Sequence, residues 1–330
     1  MSDPETIDRN LAMELARVTE AAALSAGRWM GRGDKEAADQ AAVDAMRLVL
    51  GTVQMDGIVV IGEGQKDEAP MLYVGKRVGC APEPKVDIAV DPIDGTRLLS
   101  LGMPNAISVV ALANRGSLFA SPDIMYMQKI AVGPDAAGAI DINDTVANNL
   151  ARIAAAKRRE VADLLVVILD RPRHAELVKE VRATGARIKM ITDGDVAGGV
   201  MTALPETGID ALFGVGGAPE AVVAACALKC IGGDMQCKLW PRNDEERRLA
   251  AEHGINLNRE LTIDDLVSGD NVFFSATGIT DGELLRGVHY FGNGATTDSV
   301  VMRSRSGTVR RIASVHQLSK LRELHAVPFD

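Results

Sequence analysis

Apolar positions recur at helical spacing from Asn10 to Met30, with Leu11, Leu15, Val18 and Ala22 on one face, and predict an amphipathic helix. The pattern breaks at Gly31-Arg32-Gly33-Asp34-Lys35, and a second helix is predicted from Glu36 to Leu50. Ile58-Val59-Val60-Ile61 then reads as a short strand ending in Gly62-Glu63-Gly64. Val86 to Val90 and Ile107 to Leu112 are further apolar runs, so the first half is α+β, with helices before strands. From about residue 160 the pattern becomes strand, polar turn, helix, repeated. Leu164 to Leu169 leads into Asp170-Arg171-Pro172-Arg173-His174 and a helix to Thr184. Arg187 to Ile191 leads into Asp193-Gly194-Asp195, and Ile209 to Phe213 into Gly214 to Glu220 and a helix reaching Ile231. Such βα units build α/β sheets whose ligands bind at the carboxyl ends of the strands. Val272 to Ala276 and a hairpin from Ser299 to Val315 are expected to finish that half, while Arg242 to Glu260 is charge-rich and reads as a solvated insertion. The division expected is an α+β domain over 1–158 and an α/β domain over 159–330.

Composition narrows the function. At 330 residues the chain holds two domains or one large one. Aromatics are only 3%, so Ala, Val, Ile and Met must fill the core. A net charge of −9 argues against a nucleic-acid partner. It does not argue against a small anionic substrate, because a divalent cation inverts the local field. The acidic start, Met1-Ser2-Asp3-Pro4-Glu5, lacks the apolar core of a signal peptide, and no stretch is long enough to span a membrane. Cys80, Cys226, Cys230 and Cys237 form no CxxC pair; Cys226 and Cys230 share a face of an alanine-rich helix and read as small buried hydrophobes. A reduced, cytoplasmic protein is expected.

The candidate chemistry starts at Val90-Asp91-Pro92-Ile93-Asp94-Gly95-Thr96. Two carboxylates at a strand end, stiffened by a proline, suit a hard cation such as Mg²⁺ or Mn²⁺. Gly95 and Thr96 offer N–H groups and a hydroxyl for a phosphate. An Asp-Pro turn beside an Asp-Gly turn would look the same. Acidic residues recur at element ends in glycine-rich turns, at Asp34, Glu63, Asp91, Asp94 and Glu220. Glu63 by itself reads equally as a loop glutamate, and the spacing of Asp67 and Glu68 singles neither out. Arg171 and Arg173 bracket Pro172 and could present guanidinium groups to a phosphate or simply cap a surface turn. Asp193-Gly194-Asp195 could bind sugar hydroxyls or cap a helix. Pro219 stands where a GxGxxG loop needs its last glycine, which disfavours a nicotinamide dehydrogenase. His174, His253, His289, His316 and His325 show no metal-ligand spacing and read as structural or exposed.

With these residues aligned, the chain resembles the class II fructose-1,6-bisphosphatases, the GlpX family of the lithium-sensitive, metal-dependent sugar and inositol phosphatases. The resemblance runs from about Leu11 to His316 and is carried by Gly31 to Lys35, Ile61 to Gly64, Val90 to Thr96 and Gly216-Gly217-Ala218-Pro219-Glu220. It implies a layered αβαβα sandwich of two domains and hydrolysis of the C1 phosphate of fructose 1,6-bisphosphate with Mn²⁺ or Mg²⁺. It implies metal ligation by Asp34, Glu63, Asp91, Asp94 and Glu220, with the Ile93 carbonyl as a further ligand. Sugar-bisphosphate contacts would come from Asp94-Gly95-Thr96, Tyr126, Arg171-Pro172-Arg173, Asp193-Gly194-Asp195 and Gly217. Asp34 and Thr96 would hold the attacking water and take its proton. It also implies a dimer or tetramer. Bacterial members of the best-known branch often carry Glu at the position of Asp94. Aspartate there is shared with the cyanobacterial branch, which also accepts sedoheptulose 1,7-bisphosphate, and so implies a wider substrate range. The rival readings are an inositol monophosphatase, a nucleotide 3′-phosphatase, or a sugar-phosphate-binding regulator without turnover.

Overall fold

The computed structural model describes residues 11–63, 71–120 and 124–323; Gly64, Asp67, Glu68 and His325 lie outside them. The chain enters an eight-stranded sheet with β1 (Asp56–Ile61), β2 (Arg77–Val78), β3 (Lys85–Asp94) and β4 (Ile107–Asn114). It crosses to a six-stranded sheet with β5 (Tyr126–Val132), β6 (Leu165–Leu169), β7 (Arg187–Ile191), β8 (Ala211–Gly217), β9 (Asp234–Leu239) and β10 (Leu261–Thr262). It then returns to the first sheet with β11 (Val272–Gly278), β12 (His289–Phe291), β13 (Gly294–Arg303) and β14 (Thr308–Gln317). That return corrects the expectation that Val272 to Val315 completes the second half: β11 pairs in full with β4. The 158/159 division does not follow sheet membership either, since β5 already pairs with β8 and β9.

The helices divide into three layers by where their apolar faces point. α1 (Leu11–Ala26) and α2 (Lys35–Leu50) bury Leu15, Val18, Met46 and Leu50 against Ile88, Leu112 and Phe273 on the outer face of the first sheet. α3 (Thr96–Ser100) is one short turn after β3. α4 (Val146–Lys157) and α5 (Ala175–Ala183) set Leu150, Ile153 and Val181 on the outer face of the second sheet, against Ile130, Val166 and Phe213. α6 (Asp195–Met201) and α7 (Ala218–Ile231) fill the middle, where Val200, Cys226 and Leu228 meet Val109 and Phe274 of one sheet and Met127 and Leu212 of the other. α7 is apolar nearly all round, as a helix covered on every side must be, and its alanines let two sheets approach it. The result is the expected αβαβα stack. In the second sheet β6 is parallel to both β7 and β8, so Arg171, Asp193 and Gly217 emerge at the same, carboxyl-terminal edge.

Candidate active site

The strand end at Asp91 to Asp94 is where the ladder fails, and the failure makes the site. In a regular strand residues three apart face opposite sides. Here the register of β3 against β4 jumps between Asp91 and Asp94, leaving Pro92 and Ile93 in a bulge. Pro92 has no N–H to give the ladder, and bulges are where such a residue is tolerated. Asp91 Oδ1 accepts the N–H of Ile93 at 3.1 Å, which locks the turn. Gly95 follows at φ +95°, a left-handed position that favours glycine, and redirects the chain into α3. Asp94 Oδ2 accepts the N–H of Ala197 at 3.0 Å, so this bulge on the first sheet also caps α6 beside the second.

Asp34 and Asp39, both on or beside α2, stand in different surroundings, and sequence reading singled out only the first. Asp34 is exposed and occupied as the N-cap of α2, its Oδ1 accepting the Ala37 N–H at 3.0 Å. The carboxylate that meets Thr96 is Asp39, at 3.0 Å from the hydroxyl, which also lies 3.2 Å from the Ile93 carbonyl. Burial pushes Asp39 up to about 6, against the opposing pull of Thr96 and Lys35. Asp39 was legible: on α2 it stands three, four and seven residues before the buried Ala42, Val43 and Met46, so it lies on the apolar stripe. Glu63, at the end of the chain segment following β1, keeps solvent on one side. Desolvation of its carboxyl and the proximity of Asp39 still raise its pKa.

Glu220 and Asp195 converge from the other sheet, and two glycines make room for them. A Cβ at Gly217 would stand 1.7 Å from Glu220 Oε2, and one at Gly216 would stand 2.0 Å from Asp195 Oδ2. Gly217 therefore frames the Glu220 carboxylate, whatever it offers a substrate. Burial, with repulsion from Asp195 and Glu63, pushes Glu220 up to about 7, and Lys129 works the other way. Lys129 is a buried cation on β5 that sequence reading passed over; its ammonium lies 2.5 Å from Asp195 Oδ2. Burial opposes that charge, yet Asp195 and Glu220 outweigh it and raise the lysine's pKa. The sequence signal was a lysine, beside Gln128, inside a strand whose other residues are mostly apolar.

Tyr126, Arg171, Arg173, Asp193, Asp195 and Gly217 line a cavity of about 240 Å³ between the β6 and β7 ends and the Gly216–Glu220 turn, while Pro172 and Gly194 are not part of its lining. Arg171 Nη1 donates to the carbonyls of Thr192 and Asp170, at 2.7 and 3.0 Å, and its guanidinium lies 3.7 Å from Asp193. Arg173 donates through Nε and Nη2 to the Val215 carbonyl and stands 5.1 Å over the Tyr126 ring. Gly194 takes φ +82°, turning the chain between Asp193 and Asp195. His174 is structural, as read: Nδ1 lies 2.7 Å from the Leu169 carbonyl and Nε2 accepts the Val215 N–H at 2.8 Å.

The donor set fits a hard divalent cation. Burial, then repulsion from Asp94, Glu220 and Glu63, holds Asp91 well above the ordinary carboxylate range. Burial, then Asp195, does the same for Asp94, against the Ala197 N–H. Buried Glu220 Oε2 has no hydrogen-bond partner, an orphaned hard oxygen of the kind Mg²⁺ or Mn²⁺ takes. Among the described residues, no three of these side chains are drawn together as a ready-made coordination shell. Like charges hold one another apart, and a cation gives them a reason to close.

Comparison with known proteins agrees. A family model described as bacterial fructose-1,6-bisphosphatase, glpX-encoded, matches residues 9–316. The class 2 fructose-1,6-bisphosphatase of Haemophilus influenzae is 48% identical over 328 residues, covering 96% of this chain and 98% of the relative. Fructose-1,6-bisphosphatase 1 class 2 of Escherichia coli K12 is 46% identical over 325 residues, covering 94% and 96%. A carboxylate-lined bulge facing an arginine-lined cavity is thus set in a chain that belongs, over residues 9–316, to the GlpX-type bacterial fructose-1,6-bisphosphatases.

Proposed function

We propose that the chain, whose relatives are named fructose-1,6-bisphosphatases, hydrolyses the C1 phosphate of fructose 1,6-bisphosphate to fructose 6-phosphate and inorganic phosphate, and that sedoheptulose 1,7-bisphosphate is a second substrate. The observation that carries this reading is the Thr96–Asp39 hydrogen bond beside the Asp91, Asp94, Glu63 and Glu220 carboxylates. These four are the groups that would hold the metal; Asp39, engaged by Thr96, and Asp34, engaged at the helix cap, are not among them. When bound, Mn²⁺ or Mg²⁺ supplies Lewis acidity at the phosphoryl oxygens and a water of lowered pKa.

The protein's own groups do the rest. Asp39 orients the Thr96 hydroxyl, so that its oxygen receives the water proton while its own proton passes to Asp39. A carboxylate at about 6 suits a base that must accept a proton near neutrality. The N–H groups of Gly95 and Thr96 face the transferred phosphoryl group. Tyr126, Asp193 and Asp195 face the sugar, and Arg173 the distal phosphate, across the cavity.

A reduced, cytoplasmic setting belongs to the same proposal. Cys226, Cys230 and Cys237 are buried unpaired thiols, and no described helix is long and apolar enough to cross a membrane. So does a homo-oligomer, dimer or tetramer: β14 presents an edge on which Val315 is 74% exposed. The catalytic reading is tested by Asp91→Asn, with phosphate release from fructose 1,6-bisphosphate and the circular-dichroism spectrum measured together. Loss of turnover with an unchanged spectrum supports the assignment; near-normal turnover contradicts it.

A further inference from the structure

The segment that sequence patterning reads as the start of a solvated insertion delivers a third arginine to the substrate cavity. Arg242 lines the cavity with Arg171 and Arg173, and its guanidinium lies 5.5 Å from the Tyr126 ring centre, where Arg173 lies at 5.1 Å. Its backbone is fixed on both sides. The Trp240 N–H donates to the Tyr126 carbonyl at 2.9 Å, and Asn243 caps α8 (Asp244–Glu252) by accepting the Glu246 N–H at 2.9 Å. Trp240 also packs edge-on against Tyr126, with ring centroids 6.4 Å apart.

What distinguishes Arg242 is the group that holds it. Arg171 and Arg173 donate to backbone carbonyls at the ends of β6, β7 and β8, which fixes those turns. Arg242 is held by Glu246, a carboxylate only 6% exposed in the first turn of α8. Glu246 Oε1 takes Nε at 2.6 Å and Nη2 at 2.5 Å, while Oε2 takes the Arg242 backbone N–H at 2.7 Å. An arginine has five N–H donors in a rigid fork. Glu246 engages the side-chain pair on one edge, which orients the other edge while the guanidinium itself stays exposed. A buried carboxylate aiming an exposed arginine at a cavity is costly to build for packing alone. It is the arrangement that recognises a phosphate through paired, charge-assisted hydrogen bonds.

We propose that Arg242, aimed by Glu246, is a specificity-determining residue that binds the distal phosphate of the sugar bisphosphate beside Tyr126 and Arg173. This rests on the sugar-bisphosphatase reading and assigns its selectivity to a segment outside the motifs that carry the family resemblance. Selectivity for a bisphosphate over a monophosphate then depends on α8, and Glu246 acts on substrate only through Arg242.

The test separates the distal phosphate from the scissile one. For the wild type, Arg242→Gln and the double variant Arg242→Gln/Glu246→Gln, kcat/KM is measured on fructose 1,6-bisphosphate and fructose 1-phosphate. Dissociation constants of fructose 6-phosphate and of inorganic phosphate are measured by calorimetry. The double variant leaves no unpaired buried carboxylate, so it reports on binding even if the single variant folds poorly. The proposal expects the bisphosphate-to-monophosphate ratio to fall about 10- to 100-fold, and the preference for fructose 6-phosphate over inorganic phosphate to fall in parallel. Ratios within about twofold of wild type overturn it, as does an equal loss on both substrates. If the wild type releases no phosphate from the bisphosphate, the functional reading fails instead, and the calorimetric ratio alone decides the role of Arg242.

Discussion

Thr96 donates its hydroxyl hydrogen to Asp39 at 3.0 Å, across 57 positions of sequence, and so ties the turn after the carboxylate bulge to the helix packed over the first sheet. The pair is a positioned acid–base unit, and it assigns different fates to two aspartates five residues apart. Asp39→Asn and Thr96→Val should each lower kcat by about 10²- to 10⁴-fold. Asp34→Ala should retain most turnover and cost about 1 kcal/mol of stability through the lost helix cap. Kinetics and denaturant melts on the three variants check this, and a catalytic collapse in Asp34→Ala would reverse the assignment.

Gly217→Ala is a probe of the Glu220 carboxylate. The new Cβ would lie 1.7 Å from Oε2, so the carboxylate must move. Overpacking of this kind costs about 1–3 kcal/mol, and a displacement near 1 Å at a reacting centre costs on the order of 10²-fold in rate. A weakened calorimetric affinity for Mn²⁺ should accompany the lost rate. Wild-type metal affinity in this variant would argue that Glu220 is not a ligand.

The raised carboxylates predict how metal and pH act together on stability. Glu220 rises from an ordinary 4.5 to about 7 in the fold, and Asp39 from 3.8 to about 6. A raised folded pKa means stability is fully present below the unfolded value and lost as pH rises through the folded one. The metal-free protein should therefore lose stability from these groups between about pH 4 and 7. Metal binds the deprotonated Glu220 carboxylate and offsets its share of that loss. The rise in Tm on adding Mn²⁺ should be larger at pH 8 than at pH 5.5. An equal rise at both pH values would mean that Glu220 does not bind it.

His174 sets an opposite pH dependence. Burial, together with Arg173 and Arg171, lowers its pKa from 6.5, against the hydrogen bond between Nδ1 and the Leu169 carbonyl. A lowered folded pKa gives stability that is present above 6.5 and lost as pH falls below it. Protonation also breaks a contact, since an imidazolium cannot accept the Val215 N–H. His174→Asn should melt lower than wild type at pH 8 and show a shallower decline in Tm between pH 7 and 5. A decline as steep as wild type's would place the acid sensitivity elsewhere.

Local pattern carried the regular elements closely. Arg187–Ile191 and the helix ending at Ile231 fall where periodicity puts them, although the helix is buried nearly throughout and the strand is a half-covered sheet edge. The strand Tyr126–Val132 escaped, because Gln128 and Lys129 interrupt its apolar run and Lys129 is buried only through its ion pair with Asp195. The return of Val272–Gly278 to the first sheet escaped too, since strand pairing over such separation is a tertiary choice that local sequence does not encode. In the site, Asp91 and Asp94 were legible from a proline between two aspartates. Asp39 was hidden by the assumption that helix-borne carboxylates are solvated, although its place on the apolar stripe was visible. Arg242 was hidden because a charged run reads as surface until a buried partner such as Glu246 is seen.

The most direct test is phosphate release by chelator-stripped protein with Mn²⁺ or Mg²⁺ restored, on fructose 1,6-bisphosphate, sedoheptulose 1,7-bisphosphate and inositol 1-phosphate. The account predicts metal-dependent release from both bisphosphates and none from inositol 1-phosphate. Release from inositol 1-phosphate alone, or tight binding of the bisphosphates without release, would contradict it.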